Sequence, residues 1–286
     1  TVVLLPFGDV LVKMACATIR DTKEEKAISE EDQEFMILES RFLSNPGIAI
    51  EQSKTAAKKM AEQSQNALKL SFGLLDTFQE ENAFRVEKIE AKVDRYEDEL
   101  GTYLIKLNQK ELSVEDSHSL SIMLHCIGDF ERISDHALSI MKSAKEMWEK
   151  NAVFSPQAVK ELHVMEKAVV DIVDKAYAVF ANQDIQLAEE IEPLEEVIDE
   201  LSRELKRRHV NRLRAGECTI EMGFILSDVT TSLERIADHC SNIGVCVTQV
   251  REDLYDTHSH LDSVKNAPGE LFHHELEVAR VNYMLP

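Results

Sequence analysis

Four Glu-x-x-x-Asp pairs stand out along this 286-residue chain: Glu90 with Asp94, Glu131 with Asp135, Glu195 with Asp199, and Glu234 with Asp238. Residues four apart on a helix face the same side, so each pair aims two carboxylates at one point. Such like-charge pairs destabilise an isolated helix by roughly 0.2–0.5 kcal/mol unless something positive neutralises them. Arg132 and Arg235, inside two of the pairs, can do so in part. A divalent or trivalent cation does so more fully, because oxygen-only ligand sets suit hard ions such as Mg, Ca, Mn or ferric iron. A single pair carries no information. With 53 Asp and Glu in 286 residues, chance alone supplies roughly 10 acidic i,i+4 pairs. What separates these four from an ordinary solvated acidic face is recurrence, with Glu-Arg-Ile-x-Asp-His spelled out twice.

His136 and His239 directly follow the aspartates, so they point about 100° round the helix and are poor co-ligands for the same ion. They read as partly buried structural histidines. The Glu-x-x-His pairs of di-iron bundles do not accompany these carboxylates, and no phosphate-cradling glycine loop or His-Glu-x-x-His is present, so an enzyme is not expected.

The recurrence extends to whole elements. Ile89 to Asp94 aligns with Leu194 to Asp199, and Met60 with Met165, both at an offset of 105, while Phe130 to His136 aligns with Leu233 to His239 at an offset of 103. Apolar residues at three- and four-residue spacing, such as Leu100, Leu104 and Leu107, predict helices over 48–77, 81–108, 114–149, 156–181, 184–213 and 220–253. Punctuation supports these limits: Pro46-Gly47, Ser155-Pro156, and Gly216 after a basic last turn. The expected fold is all-α, as two pseudo-symmetric three-helix bundles with extra N- and C-terminal helices. The corresponding domain limits are 1–46 for an N-terminal stub and connector, 47–152 and 153–256 for the repeats, and 257–286 for the tail. A short helix is expected over 34–43 and another over 270–281.

Composition narrows the partners. Asp and Glu outnumber Lys and Arg 53 to 32, a formal charge of −21. That excludes nucleic acid or an anionic bilayer bound through bulk electrostatics and favours a cation. Five cysteines without a Cys-x-x-Cys read as reduced thiols in a cytosolic compartment. Met60, Met123, Met147, Met165 and Met222 read as core fillers. Lys206-Arg207-Arg208-His209 with Arg212 and Arg214 forms the one dense basic patch. It complements a helix C-terminus, or else docks an acidic or membrane-facing partner. Residues 1–19 are interrupted by Pro6, Gly8, Asp9 and Lys13, so by themselves they do not span a bilayer. They read either as a docking helix or as the trimmed end of a membrane span.

The duplicated Glu131-Arg-Ile-Ser-Asp135-His136 and Glu234-Arg-Ile-Ala-Asp238-His239, with Glu90/Asp94 and Glu195/Asp199, resemble the acidic motifs of PhoU, a phosphate-transport regulator. The opening Leu4-Leu5-Pro6-Phe7 and the stretch Phe42-Leu-Ser-Asn-Pro-Gly-Ile-Ala49 resemble the junction where type II sodium/phosphate cotransporters enter a PhoU-like C-terminal tail. The resemblance implies metal, with iron, zinc, manganese or magnesium as candidates, on Glu90, Asp94, Glu131, Asp135, Glu195, Asp199, Glu234 and Asp238. It further implies a regulatory role at the inner face of the cell membrane, with a membrane phosphate transporter domain as partner, on the same or a separate chain. A homo-oligomer is a further possibility, and a free-standing phosphate-signalling regulator and a metal-dependent carboxylate-bundle enzyme are the alternatives.

Overall fold

Long amphipathic helices must bury one face, and this chain does so by folding each trio of helices on itself and then the two trios on each other. The computed structural model describes residues 34–251 and 269–286. The expectations for residues 1–19 and for the acidic connector lie outside them. The helices are α1 Pro46–Asp76, α2 Glu80–Leu107, α3 Val114–Glu149, α4 Pro156–Asn182, α5 Ile185–Ala188, α6 Ile191–Arg214, α7 Ile220–Arg251 and α8 Glu270–Asn282, and no strand occurs among the described residues. The first trio is α1, α2 and α3, the second α4, α6 and α7, as the repeat requires.

Local chemistry sets the helix ends. Ser113 and Ser155 cap α3 and α4 by accepting the backbone N–H of Asp116 and Ala158. Pro46 and Pro156 stand in first turns, where a missing N–H costs nothing. After α6 the chain turns through Gly216 at φ 72°, and Glu217 N–H donates back to the Arg212 carbonyl at 2.9 Å, which closes the helix end.

Two sequence expectations are corrected. Of the stretch read as a helix over 34–43, only Glu34 and Phe35 are α-helical; the chain then makes two 3-10 turns, Met36–Leu38 and Ser40–Ser44, parted by Glu39 at ψ 139°. Tight turns instead let Phe35 and Leu38 both reach the core, with the Phe35 ring centroid 4.7 Å from that of Tyr96. The helix read over 184–213 is broken into α5 and α6. Pro193 is the cause: its ring would collide with the carbonyl of Glu189, so a helix begun at Ile185 cannot pass through it. Restarting at Ile191 puts Pro193 in a first turn, where it is tolerated.

Within the first trio α1 and α3 run parallel in close contact. Ser64 and Ser71 of α1 donate to the carbonyls of Phe130 and Ala137, each at 2.8 Å, across a face of small residues that includes Ala57, Ala61 and Ala67. Between the trios, α3 packs antiparallel on α7. Asp129 meets His239 at 2.9 Å and Asn242 at 3.3 Å, and the His136 and His239 rings lie 5.8 Å apart. A second antiparallel seam joins α1 to α4 through Tyr177 to Glu62, Lys69 to Asp174 and His163 to Asp76. The expected methionine fillers Met60, Met123, Met147, Met165 and Met222 are all buried, as are Cys126 and Cys240. The described cysteines are free thiols. Among the described residues no helix is long and apolar enough to cross a membrane. Helix α8 closes on α6 through Arg280 to Glu200 at 2.5 Å and 3.0 Å.

Most of the basic stretch of α6 pairs with carboxylates of this chain. Arg207 and Arg208 pair with Glu204, while Arg208 and Arg212 converge on Glu161 of α4 at 3.0 and 2.7 Å. Side chains of Glu161 and Arg212 are only 2% and 9% exposed, so either charge left alone would be strongly destabilising. At an offset of 105 the first trio places Ala56 and Leu107 there, both fully buried. Glu161→Ala is therefore expected to lower the unfolding free energy by roughly 3–5 kcal/mol. Adding Arg212→Leu, which copies the first trio, should recover a large part of it in urea melts. A double variant as unstable as the single one would refute this reading of the pair.

Candidate metal centre

Helices α6 and α7 bring the second pair of acidic motifs together. Carboxylate oxygens of Glu195, Asp199 and Asp238 all lie within 4.8 Å of one another, the one such group of three among the described residues. Glu195 is buried, and one oxygen of Asp199, Oδ1, is buried without a hydrogen-bond partner. Burial, followed by the charges of Glu234 and Asp238, pushes the Asp199 carboxyl above its usual range. A carboxylate with an orphaned buried oxygen, grouped with two others, fits a hard cation, which would give the three groups a shared counter-charge.

Glu234, the fourth expected ligand, faces elsewhere in its bonding. Ser202 donates to its Oε2 at 2.8 Å and Lys206 at 3.2 Å. Burial pushes the Glu234 carboxyl up, but these hydrogen bonds and the Lys206 charge outweigh it, and the net direction is down. One turn earlier, Glu192 is buried and accepts from Ser241 at 2.5 Å.

The first trio assembles its four acids between α2 and α3 more loosely. Glu90 is raised by burial and by the charges of Asp135 and Asp94. Glu131 is pushed up to about 7, chiefly by burial and by Asp135, with which it shares a hydrogen bond; Arg132 opposes the shift. Arg132 sits 3.1 Å from Asp135 and 3.4 Å from Glu131, and Arg235 sits 3.1 Å from Asp238. Glu97 also acts on Glu131 and, with Asp129 and His125, lines a groove beside it.

Sequence reasoning passed over what makes the two clusters unequal. Glu90, Asp94, Glu97 and Gly101 form one helical stripe; Glu195, Asp199, Ser202 and Lys206 form its counterpart at an offset of 105. An acid and a glycine in the first trio thus stand where the second has a hydroxyl and an ammonium. The four-three-four spacing was readable in advance, but that Lys206 would bond Glu234 was not.

The raised Glu131 sets a pH dependence for the metal-free protein. Its folded value of about 7 lies above its ordinary 4.5, so the folded state holds a proton there that the unfolded state releases. Its contribution to stability is complete below pH about 4.5 and is lost as pH rises through about 7. Glu131→Gln should remove that part of the decline in chelator-treated protein melted between these limits. Parallel pH curves for parent and variant would contradict the assignment.

Comparison with known proteins follows the same two-part division. A family model described as the PhoU domain matches residues 57–144 and 162–247. A curated relative from Thermotoga maritima, phosphate-specific transport system accessory protein PhoU homolog 1, is 30% identical over 115 residues, 40% of this chain and 49% of that protein. The match thus spans about half the length of that relative. The phosphate-specific transport system accessory protein PhoU homolog from Deinococcus radiodurans is 22% identical over 160 residues, 56% of this chain and 74% of that protein. In fold, the chain is similar to the crystal structure of PhoU from Pseudomonas aeruginosa, with a TM-score of 0.66 at 20% identity over 71% of this chain and 97% of that one. The phosphate transport system regulatory protein PhoU from Streptococcus pneumoniae gives a TM-score of 0.66 at 17% identity over 74% and 100%.

Proposed function

Since this chain belongs to the PhoU domain family, we propose that it is a PhoU-type accessory regulator of phosphate transport whose two carboxylate clusters hold metal ions. The observation that carries the metal reading is the Glu195, Asp199 and Asp238 group, with three carboxylates within 4.8 Å and a buried Asp199 oxygen that has no partner. Glu90, Asp94, Glu131 and Asp135 form the corresponding site of the first trio, and Glu234 joins the second only if it leaves Lys206 and Ser202.

A bound cation would supply a fixed positive charge; the rest is done by the chain. Glu195 and Asp199 come from one helix and Asp238 from the next, so an ion shared between them fastens α6 to α7. Glu90, Asp94, Glu131 and Asp135 would fasten α2 to α3 likewise. Metal occupancy thereby sets the stiffness of the face that a transporter partner meets, a regulatory role rather than a catalytic one.

The curated relatives are named as accessory proteins of a phosphate-specific transport system, which favours a separate chain acting on a membrane transporter. The second reading, a module fused to the end of a sodium/phosphate cotransporter, rests on the Phe42 to Ala49 stretch that resembles such a junction. Phosphate uptake in cells lacking the chain, with and without the intact coding sequence restored, separates regulation from transport: a regulator leaves uptake present but uncontrolled by external phosphate.

Purified protein is expected to contain metal by elemental analysis and to melt lower after chelation. E131Q/D135N should lose the metal of the first cluster, and E195Q/D199N that of the second, with helix content unchanged. The metal reading is wrong if the parent carries none and its melting point ignores added Fe, Mn, Zn, Mg and Ca.

A further inference from the structure

Two members of the repeated Glu-Arg-Ile-x-Asp-His motif are not themselves carboxylates of the clusters, the arginine, which pairs with the aspartate three residues on, and the histidine. The α3–α7 seam gathers both copies of each. Antiparallel register from the Asp129 to Asn242 contact places Arg132 opposite His239 three residues on, and His136 opposite Arg235 seven residues on. The histidine rings face one another at the centre, 5.8 Å apart and inclined by 31°. Electrostatics agree with this placement: burial and His239 hold His136 below its usual range against the opposing charge of Asp135, and Arg235 and then Arg132 add to the lowering, although Arg132 is on its own helix.

Arg132 and Arg235 are 61% and 62% exposed, so they rim an open patch, while His239 at 20% lies deeper. Each arginine donates through Nη1 to the aspartate three residues on, at 3.1 Å. That hydrogen bond takes one of the five N–H donors of a guanidinium. Planar guanidinium groups with an imidazole N–H beside them suit the oxygens of a tetrahedral anion; His136 can supply that N–H, since the Nδ1–H of His239 goes to Asp129.

We propose that Arg132, Arg235 and His136, with the His239 ring packed behind them, form a binding site for a small tetrahedral oxyanion such as inorganic phosphate, on the pseudo-twofold seam between the two carboxylate clusters. The inference rests on the metal reading in one respect. Glu131, Asp135, Glu234, Asp238 and Asp129 flank the patch, and as bare anions they outnumber its two arginines and repel phosphate. Cations on the two clusters reverse that balance, and Asp135 and Asp238 then share their charge with metal as well as with arginine. Metal binding therefore precedes and enables oxyanion binding, and by reciprocity phosphate tightens the hold on metal.

The test is calorimetric titration of the full chain with inorganic phosphate, metal-loaded and after chelation, with metal content measured in every sample. Metal-loaded parent should bind phosphate, and chelated parent about tenfold more weakly or worse. R132Q/R235Q should keep its metal yet lose about tenfold or more in phosphate affinity, and H136Q/H239Q should lose affinity too. Sedimentation with phosphatidylcholine vesicles, with and without phosphatidic acid, tells a free ion from a lipid headgroup: no vesicle binding is expected. Metal-loaded parent that takes up no phosphate, or R132Q/R235Q that takes it up as the parent does, overturns the proposal, as does phosphate-independent sedimentation with phosphatidic acid vesicles. A parent without metal that still binds phosphate through Arg132 and Arg235 would sink the metal reading and leave the oxyanion site standing.

Discussion

The two trios are joined chiefly by the antiparallel packing of α3 against α7, and the arrangement of the repeated motif follows from it. The two helices carry the same Glu-Arg-Ile-x-Asp-His motif, and an antiparallel pairing of like with like generates a local twofold relation. Asp129 to His239 and Asn242, and His136 to His239, fix its register. With that register set, each acidic pair is turned outward toward α2 or α6, where its companion pair waits, and the arginines and histidines are left along the seam itself. A shift by one residue would rotate every one of these side chains about 100° round its helix.

Like-charge repulsion is the second organising force. Clustered carboxylates are unfavourable unless something answers them, and the two halves answer differently. In the second, Lys206 and Ser202 hold Glu234 and keep its carboxyl ionised, leaving Glu195, Asp199 and Asp238 as the compact group. In the first, Glu97 and Gly101 occupy those places, and Glu131 retains its proton to about pH 7. One duplicated scaffold thus presents two carboxylate clusters of unequal electrostatics. The same divergence occurs in the core, where Glu161 and Arg212 replace what are Ala56 and Leu107 in the first trio.

Much of the architecture was legible in advance. Helix periodicity, the Ser155-Pro156 start and the offset of the repeats gave the helix order, the pairing into trios and the burial of the methionines, because these depend on residues near one another in sequence. The break at Pro193 was also legible in principle, since the clash of a proline ring with the carbonyl four residues back is a local rule. The 3-10 turns at 36–44 were less so, being dictated by the reach of Phe35 and Leu38 toward α1 and α2 rather than by their own propensity.

The sequence by itself determined which carboxylates share a helical face, because four-residue spacing admits one answer on an α-helix. It also determined that this happens twice. Tertiary structure alone decided which of those faces meet, that Glu234 is claimed by Lys206, that Arg212 finds Glu161, and that the two histidines face each other. The reason is physical: helix periodicity is a property of a few consecutive residues, whereas the register between two helices is settled by ridge-and-groove packing summed over the whole length of their contact.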